Sequence, residues 1–103
     1  MDIVNYYSND ILYEPEKQIL AIIQDELHGS RVLDIGVGAG RTTPYFSKLT
    51  KSYLGIDYSA EMIKRCKERF ETNGTISFRV VDAINLDSLG SNCFDIVIFS
   101  YNG

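Results

Sequence analysis

The feature that most constrains the fold is an apolar run that ends in a carboxylate and then in alternating glycines. Residues 32–40 read Val-Leu-Asp-Ile-Gly-Val-Gly-Ala-Gly, in which Asp34 precedes Gly36, Gly38 and Gly40. The apolar residues predict a buried strand, and the glycines predict a tight turn whose peptide groups carry no side chains. A helix is predicted to follow, so a ligand would meet bare backbone beside the N–H groups of a helix N-terminus. A plain turn needs only one or two glycines, and the third therefore favours a ligand site.

Helical and extended patterns alternate along the chain, which predicts an α/β fold in which right-handed units form a parallel sheet. Strands are predicted at residues 31–35, 52–57, 76–80 and 94–99. Helices are predicted between Pro15 and Gly29, at residues 42–49, and from the capping residue Ser59 to the turn at Asn73-Gly74. The third strand alternates apolar and polar residues and is expected at an exposed edge, whereas the almost wholly apolar fourth is expected to be central.

Two more carboxylates stand where predicted strands end. Asp57 follows the second strand and Asp82 follows the third. Ligands of open parallel sheets bind beyond the carboxyl ends of the strands, so both aspartates and the glycine turn are expected at one ligand-binding edge. A carboxylate there can accept hydrogen bonds from both hydroxyls of a ribose. Each aspartate also has a structural alternative. Asp57 would interact with the next helix N-terminus, Asp82 would cap its loop, and Asp34 would hold the glycine turn through backbone N–H groups.

The composition bounds the class of protein. The 103 residues suit one domain, residues 1–103, and 45% of them are hydrophobic. The formal net charge of −4 disfavours nucleic acid as a partner, because phosphate binding needs clustered lysine and arginine. Cys66 and Cys93 form no metal-binding pair, so no metal is expected. The chain shows neither a signal-peptide pattern nor an apolar run of membrane-spanning length, and a soluble cytoplasmic protein is expected.

The spacing of the glycines separates two kinds of nucleotide site. A dinucleotide fingerprint that begins at Gly36 needs its third glycine at position 41, where this chain has Arg41. The pattern D-x-G-x-G-x-G instead resembles the first motif of class I S-adenosylmethionine (SAM)-dependent methyltransferases. Residues 55–63 (GIDYSAEMI), 81–83 (VDA) and 94–103 (FDIVIFSYNG) resemble later motifs of the same family, in the same order. The resemblance extends from residue 31 to residue 102.

The resemblance implies that SAM is the cofactor and assigns residues to its ribose and methionine parts. In this family the acidic residue at the position of Asp34 supports the glycine turn and the methionine amino group. The one at the position of Asp57 holds the ribose, and the turn itself (here Gly36, Gly38 and Gly40) cradles the cofactor. The strand end that contains Ser100 would face the methionine moiety and the methyl acceptor. No general base accompanies these motifs, so the catalytic residues are not predicted.

A second group of residues is implied to surround the adenine. Tyr58 and Met62 would flank the ring on its two sides. Asp82 would accept a hydrogen bond from the adenine amino group, and Ala83 would donate its backbone N–H to a ring nitrogen. Family members often place an N-terminal aromatic residue over the cofactor, a role open to Tyr13 or a neighbouring tyrosine. The alternative for Tyr13 is packing onto the sheet.

The resemblance also implies that the sheet is truncated. Family members usually have seven strands in the order 3-2-1-4-5-7-6, and this chain stops after the fourth. We therefore expect a Rossmann-like methyltransferase domain, at least its N-terminal cofactor-binding part, with an unidentified methyl acceptor and no turnover by these residues alone. The apolar fourth strand would form an open edge, through which two copies would form a homodimer. A non-catalytic SAM-binding or interaction module and, less favoured, a nicotinamide-binding domain stay open as alternatives.

Overall fold

Parallel strands flanked by helices make up the computed structural model, which describes residues 13–72, 74–82, 84, 89 and 94–100. The elements are α1 (Glu14–Leu27), β1 (Arg31–Ile35), α2 (Thr43–Ser47), β2 (Ser52–Asp57), α3 (Ala60–Arg69), β3 (Ile76–Val80) and β4 (Ile96–Phe99). The strands run in the order β3-β2-β1-β4, and every neighbouring pair is parallel. This arrangement confirms the predicted Rossmann-like α/β fold and leaves the first strand in the interior of the sheet.

Helix α1 begins as predicted, with Pro15 in its first turn, but buries a narrower face than predicted. The spacing of its apolar residues predicts one buried face at Ile19, Leu20, Ile22, Ile23 and Leu27. In the structure only Leu20, Ile23 and Leu27 pack into the core. The other two isoleucines are exposed, because a helix that touches the core along a single i, i+3, i+7 line leaves their flank in solvent. No helix in the described part of the chain is long and apolar enough to cross a membrane.

Helices α2 and α3 both end earlier than the sequence predicts. Helix α2 stops at Ser47 rather than residue 49, because the chain turns there and the Thr50 N–H donates back to the Ser47 carbonyl. Helix α3 is capped by Ser59, as predicted, but stops at Arg69. Phe70 then takes an extended conformation and packs on the core instead of continuing the helix to the turn predicted at 73–74. Asn73 lies outside the described residues.

The two faces of the sheet bury different clusters. The face under the helices packs Val32, Tyr53 and Phe78 against side chains of α1, α2 and α3. The opposite face is built around Leu33, Ile35, Ile56, Val81 and Leu89. Strand alternation produces this division, since neighbouring residues of a strand point to opposite faces.

The two outer strands differ in how their positions compare with prediction. Strand β3 lies at an edge with its polar residues exposed, as predicted. Strand β4 pairs with β1 and has no second neighbour among the described residues, so its predicted central position is not found there. Val97 and Phe99 are 48% and 57% exposed on the face opposite the helices. At the start of the same strand, the Asp95 carboxylate accepts hydrogen bonds from the backbone and guanidinium of Arg31.

Candidate functional site

The turn after β1, residues 36–41, is called the glycine loop here. Gly36, Gly38 and Gly40 have φ angles of 74°, 58° and 89°, in the left-handed region that side chains disfavour. Between them Val37 is fully buried in the core. The N–H groups of Gly36 and Val37 both donate to the Ile56 carbonyl, at 2.9 and 3.0 Å. The loop is therefore a continuation of the sheet, with its shape set by glycine.

The third glycine of the loop serves helix packing. A Cβ atom at Gly40 would lie 2.6 Å from the Phe70 ring and 3.4 Å from the Cys66 sulfur. Close approach between the loop and α3 therefore requires glycine at this position. The sequence predicts a cofactor contact at Gly40, and that role stays a prediction beside the packing role.

The outer side of the glycine loop is held by α3 through the carbonyl groups of the loop. The Cys66 thiol donates to the Gly38 carbonyl at 3.0 Å, and the Arg69 guanidinium donates to the Ala39 carbonyl. Burial raises the pKa of the Cys66 thiol to about 12, so the group is protonated and able to donate. These bonds turn the carbonyls toward α3.

Asp57 joins the glycine loop to the start of α3. Its Oδ2 accepts the Gly38 N–H and its Oδ1 accepts the Ser59 N–H, both at 2.9 Å. The side chain of Ser59 in turn accepts the Met62 N–H at 3.2 Å and caps the helix. Asp57 thus interacts with the N-terminus of the next helix, which is the structural alternative predicted from the sequence. Each carboxylate oxygen can accept more than one hydrogen bond, so this arrangement is compatible with the predicted contact to a ribose.

Asp34 is fully buried at the centre of a group of hydroxyls. Its Oδ2 accepts hydrogen bonds from Tyr53 at 2.5 Å and from Thr42 at 3.2 Å, while its Oδ1 accepts one from the Ser100 hydroxyl. Burial raises the pKa of the Asp34 carboxyl, and the hydrogen bonds from Ser100, Tyr53 and Thr42 act in the opposite direction. Side-chain hydroxyls thus donate the hydrogen bonds to this carboxylate. The structural alternative predicted from the sequence was that backbone N–H groups of the glycine turn would do so.

The residues predicted to surround the adenine lie at the ends of β2 and β3. These ends are adjacent because Asp57 pairs with Val80 in the register of the two strands. Tyr58 is 80% exposed, and Asp82 is exposed with its Oδ1 accepting the Ile84 N–H at 3.1 Å. Met62 is partly buried on the first turn of α3. Ala83 lies outside the described residues.

The start of α1 is fastened to the glycine loop through Arg41. The Arg41 guanidinium donates two hydrogen bonds to the Glu16 carboxylate, at 2.7 and 2.8 Å. It also lies 4.3 Å from the centre of the Tyr13 ring, in a cation–π contact. The hydrogen bonds from Arg41 lower the pKa of Glu16. Tyr13 therefore contacts the last residue of the loop, and the other tyrosines near the N-terminus lie outside the described residues.

Comparison with known proteins decides the family. Residues 32–102 match the model of a methyltransferase domain. This chain belongs to that methyltransferase family. Among curated relatives, phosphoethanolamine N-methyltransferase 1 of Caenorhabditis elegans is 31% identical over 98 residues, which cover 95% of this chain and 20% of that protein. Phosphatidylethanolamine N-methyltransferase of Cereibacter sphaeroides is 38% identical over 73 residues, covering 68% of this chain and 35% of that protein. The chain thus spans a fifth and about a third of the lengths of these two relatives.

Solved structures show the same fold. An S-adenosylmethionine-dependent methyltransferase from Mesorhizobium loti has a TM-score of 0.63 and 26% identity, over 80% of this chain and 38% of that one. The methyltransferase CalH, solved with S-adenosylhomocysteine, has a TM-score of 0.62 and 26% identity, over 82% of this chain and 27% of that one. The N-methyltransferase NodS from Bradyrhizobium japonicum has a TM-score of 0.69 and 25% identity, over 82% of this chain and 46% of that one.

In this methyltransferase domain the predicted site residues fall into two groups. Asp34, Gly38, Asp57 and Ser100 are tied together at the carboxyl ends of three neighbouring strands, directly or through the glycine loop. The predicted adenine contacts stand apart from this group, on the more exposed side toward β3.

Sequence reasoning missed the polar partners of the site. Tyr53 and Thr42, which hold Asp34, and Glu16, which holds Arg41, are separated from those residues by 19, 8 and 25 positions. One signal for Tyr53 was available. It pairs with Val32 in the sheet, and strand alternation places it on the same face as Asp34. The signal for Glu16 was weaker, since a carboxylate in the first turn of a helix is common.

Proposed function

We propose that residues 1–103 form one domain, the cofactor-binding part of a methyltransferase that uses SAM. The observation that carries this proposal is the glycine loop, which Asp57 holds through the Gly38 N–H and which follows a second buried carboxylate, Asp34, on the neighbouring strand. Family membership supports it, as do structural relatives solved with S-adenosylhomocysteine, such as CalH.

The charges of the site suit the charges of SAM. The methionine part of the cofactor carries an ammonium, a carboxylate and a sulfonium group, with net positive charge, and its adenosine part carries two ribose hydroxyls. The buried Asp34 carboxylate supplies negative charge in a low-dielectric setting, where water screens it little. Asp57, beside the loop backbone, would accept hydrogen bonds from the ribose. The residues therefore fit the group they would hold.

SAM, when bound, would supply a methyl group on positively charged sulfur for in-line transfer to an acceptor nucleophile, with the sulfide as the leaving group. The contribution of this chain is to bind and orient the cofactor and to exclude water from one side. The two curated relatives named above are N-methyltransferases with different acceptors in their names, so the acceptor of this chain is left unassigned, and transfer by these residues alone is not expected.

The test is calorimetric titration of the chain with S-adenosylhomocysteine and, separately, with NADH. We expect binding of the first ligand and none of the second. The variant Asp57→Asn should weaken the binding at least tenfold, because a hydrogen bond to a charged group contributes about 1.5–3 kcal/mol. Asp95→Asn is the matched control, since Asp95 lies at the opposite ends of the strands in a pair with Arg31. Binding of NADH, or equal binding by the Asp57 and Asp95 variants, would contradict the proposal.

We also propose that the β4 edge pairs with a second copy of the chain to form a homodimer. The exposed Val97 and Phe99 on that strand support the proposal. The predicted cytoplasmic location stays a proposal too, which cell fractionation tests.

A further inference from the structure

The two oxygens of the Asp34 carboxylate have different surroundings. Oδ2 accepts hydrogen bonds from Tyr53 and Thr42, both fully buried side chains. Oδ1 accepts one from the hydroxyl of Ser100, which follows β4 and is only partly buried. One oxygen is therefore bonded to the protein interior, and the other to a less buried residue beyond the end of β4.

Tyr53 holds the inner oxygen through a directed chain of hydroxyls. Its hydroxyl lies 2.5 Å from Asp34 Oδ2 and 3.0 Å from the hydroxyl of Thr43. Since an ionised carboxylate only accepts, Tyr53 donates its single proton to Asp34 and Thr43 donates to Tyr53. Burial and the charge of Asp34 raise the pKa of Tyr53 well above its ordinary value, so the phenol keeps its proton.

The packing around Tyr53 also restricts its ring. The side chain is buried in the core between β1 and β3, and its ring meets the Phe78 ring edge to face, with 6.3 Å between the centres. Thr43 is fully buried in the first turn of α2. The two hydroxyls are bonded inside the core, that of Tyr53 to Asp34 and that of Thr43 to Tyr53, so any effect on the cofactor passes through Asp34.

We propose that Tyr53, oriented by Thr43, is a positioning residue that fixes the Asp34 carboxylate so that Oδ1, together with Ser100, receives the ammonium end of the cofactor. The inference rests on the proposed function. It goes beyond it by giving a role to two buried residues that do not touch the cofactor. The inference also predicts that Tyr53 affects binding of the methionine part of the cofactor and not of its adenosine part, because Asp57 is held by other bonds.

The test compares two ligands that differ only in the amino-acid part. S-adenosylhomocysteine carries the ammonium group, and 5′-methylthioadenosine lacks it. The variant Tyr53→Phe removes one hydroxyl and should weaken the binding of S-adenosylhomocysteine about fivefold, the size expected for one hydrogen bond. The binding of 5′-methylthioadenosine should stay within about twofold of the unmodified chain. Thr50→Val is the matched control, since its buried hydroxyl bonds the Ser47 carbonyl and not the group of hydroxyls around Asp34.

A second pair of variants tests the inference even where Tyr53→Phe does not fold. Thr43→Val leaves Tyr53 in place without its orienting donor. It should weaken the binding of S-adenosylhomocysteine by about twofold to threefold, without weakening that of 5′-methylthioadenosine. Thr43→Ser keeps the hydroxyl and should restore binding. Equal effects on both ligands, or no effect on either, would overturn the positioning role alone. Failure of the unmodified chain to bind S-adenosylhomocysteine would overturn the proposed function, and this inference with it.

Discussion

At the scale of single residues, the two buried aspartates of the site are held in different ways. Asp57 accepts backbone N–H groups from the glycine loop and from the start of α3, and so joins two elements. Asp34 accepts side-chain hydroxyls that come from three separate parts of the chain. The local role of Asp57 follows from its position at a strand end before a helix. The partners of Asp34 depend on how distant segments meet, which sequence spacing does not encode.

The third glycine of the loop provides a test at the same scale. Gly40→Ala introduces a Cβ into a left-handed residue and against the Phe70 ring, at 2.6 Å before any adjustment. Gly29→Ala meets the same kind of backbone strain, but its Cβ finds nothing within 4 Å. We expect Gly29→Ala to lower the free energy of unfolding by about 1 kcal/mol and Gly40→Ala by more, about 2–4 kcal/mol. Urea denaturation measures both, and equal losses would show that the loop does not need close contact with α3.

At the scale of elements, the strands follow prediction more closely than the helix ends. Strand β2 has the predicted limits because its apolar pattern ends at Asp57, whose carboxylate bonds the glycine loop and the start of α3. Helix α3 begins at its predicted cap but ends before Phe70, since that residue gains more from packing on the core than from extending the helix. Helix ends depend on such tertiary contacts, and the sequence signal for them is weak.

The attachment of α1 to the glycine loop predicts a pH dependence. Hydrogen bonds from Arg41 lower the pKa of Glu16, so the folded state holds this proton less tightly than the unfolded chain does. The resulting stability is present above the unfolded pKa of about 4.3 and is lost as the pH falls through the lower folded pKa. Glu16→Gln should therefore flatten the acid side of the stability profile, as measured by urea denaturation at several pH values. The control is Glu61→Gln, in an exposed pair with Arg65. A profile of Glu16→Gln as steep as that of the unmodified chain would refute the attachment.

At the scale of the whole molecule, strand β4 forms one edge of the described sheet. Its pairing with β1 follows the order expected from the resemblance, and its outer edge has no described neighbour. Two apolar side chains of the same strand, Val97 and Phe99, are exposed on the face opposite the helices. An open apolar edge favours pairing with another strand.

The open edge predicts that the chain self-associates. Sedimentation velocity over a range of concentrations should show a monomer–dimer equilibrium. Val97→Lys should shift it toward the monomer, because lysine at an edge strand opposes pairing. The control is Lys51→Ala, at an exposed residue that precedes β2. A monomer at every concentration would rule out the edge as a dimer interface.

The central claim, that the glycine loop is the cofactor site, is tested most directly by NMR during titration with S-adenosylhomocysteine. Backbone amide shifts report which residues the ligand meets. We predict shifts at Gly36, Gly38, Tyr58 and Ser100, where strands β1, β2 and β4 end. The amides of Ser30, Lys51 and Asp95, which precede the same strands, should stay in place. Shifts confined to the latter group, or saturation of the ligand without any change in the glycine loop, would contradict the claim.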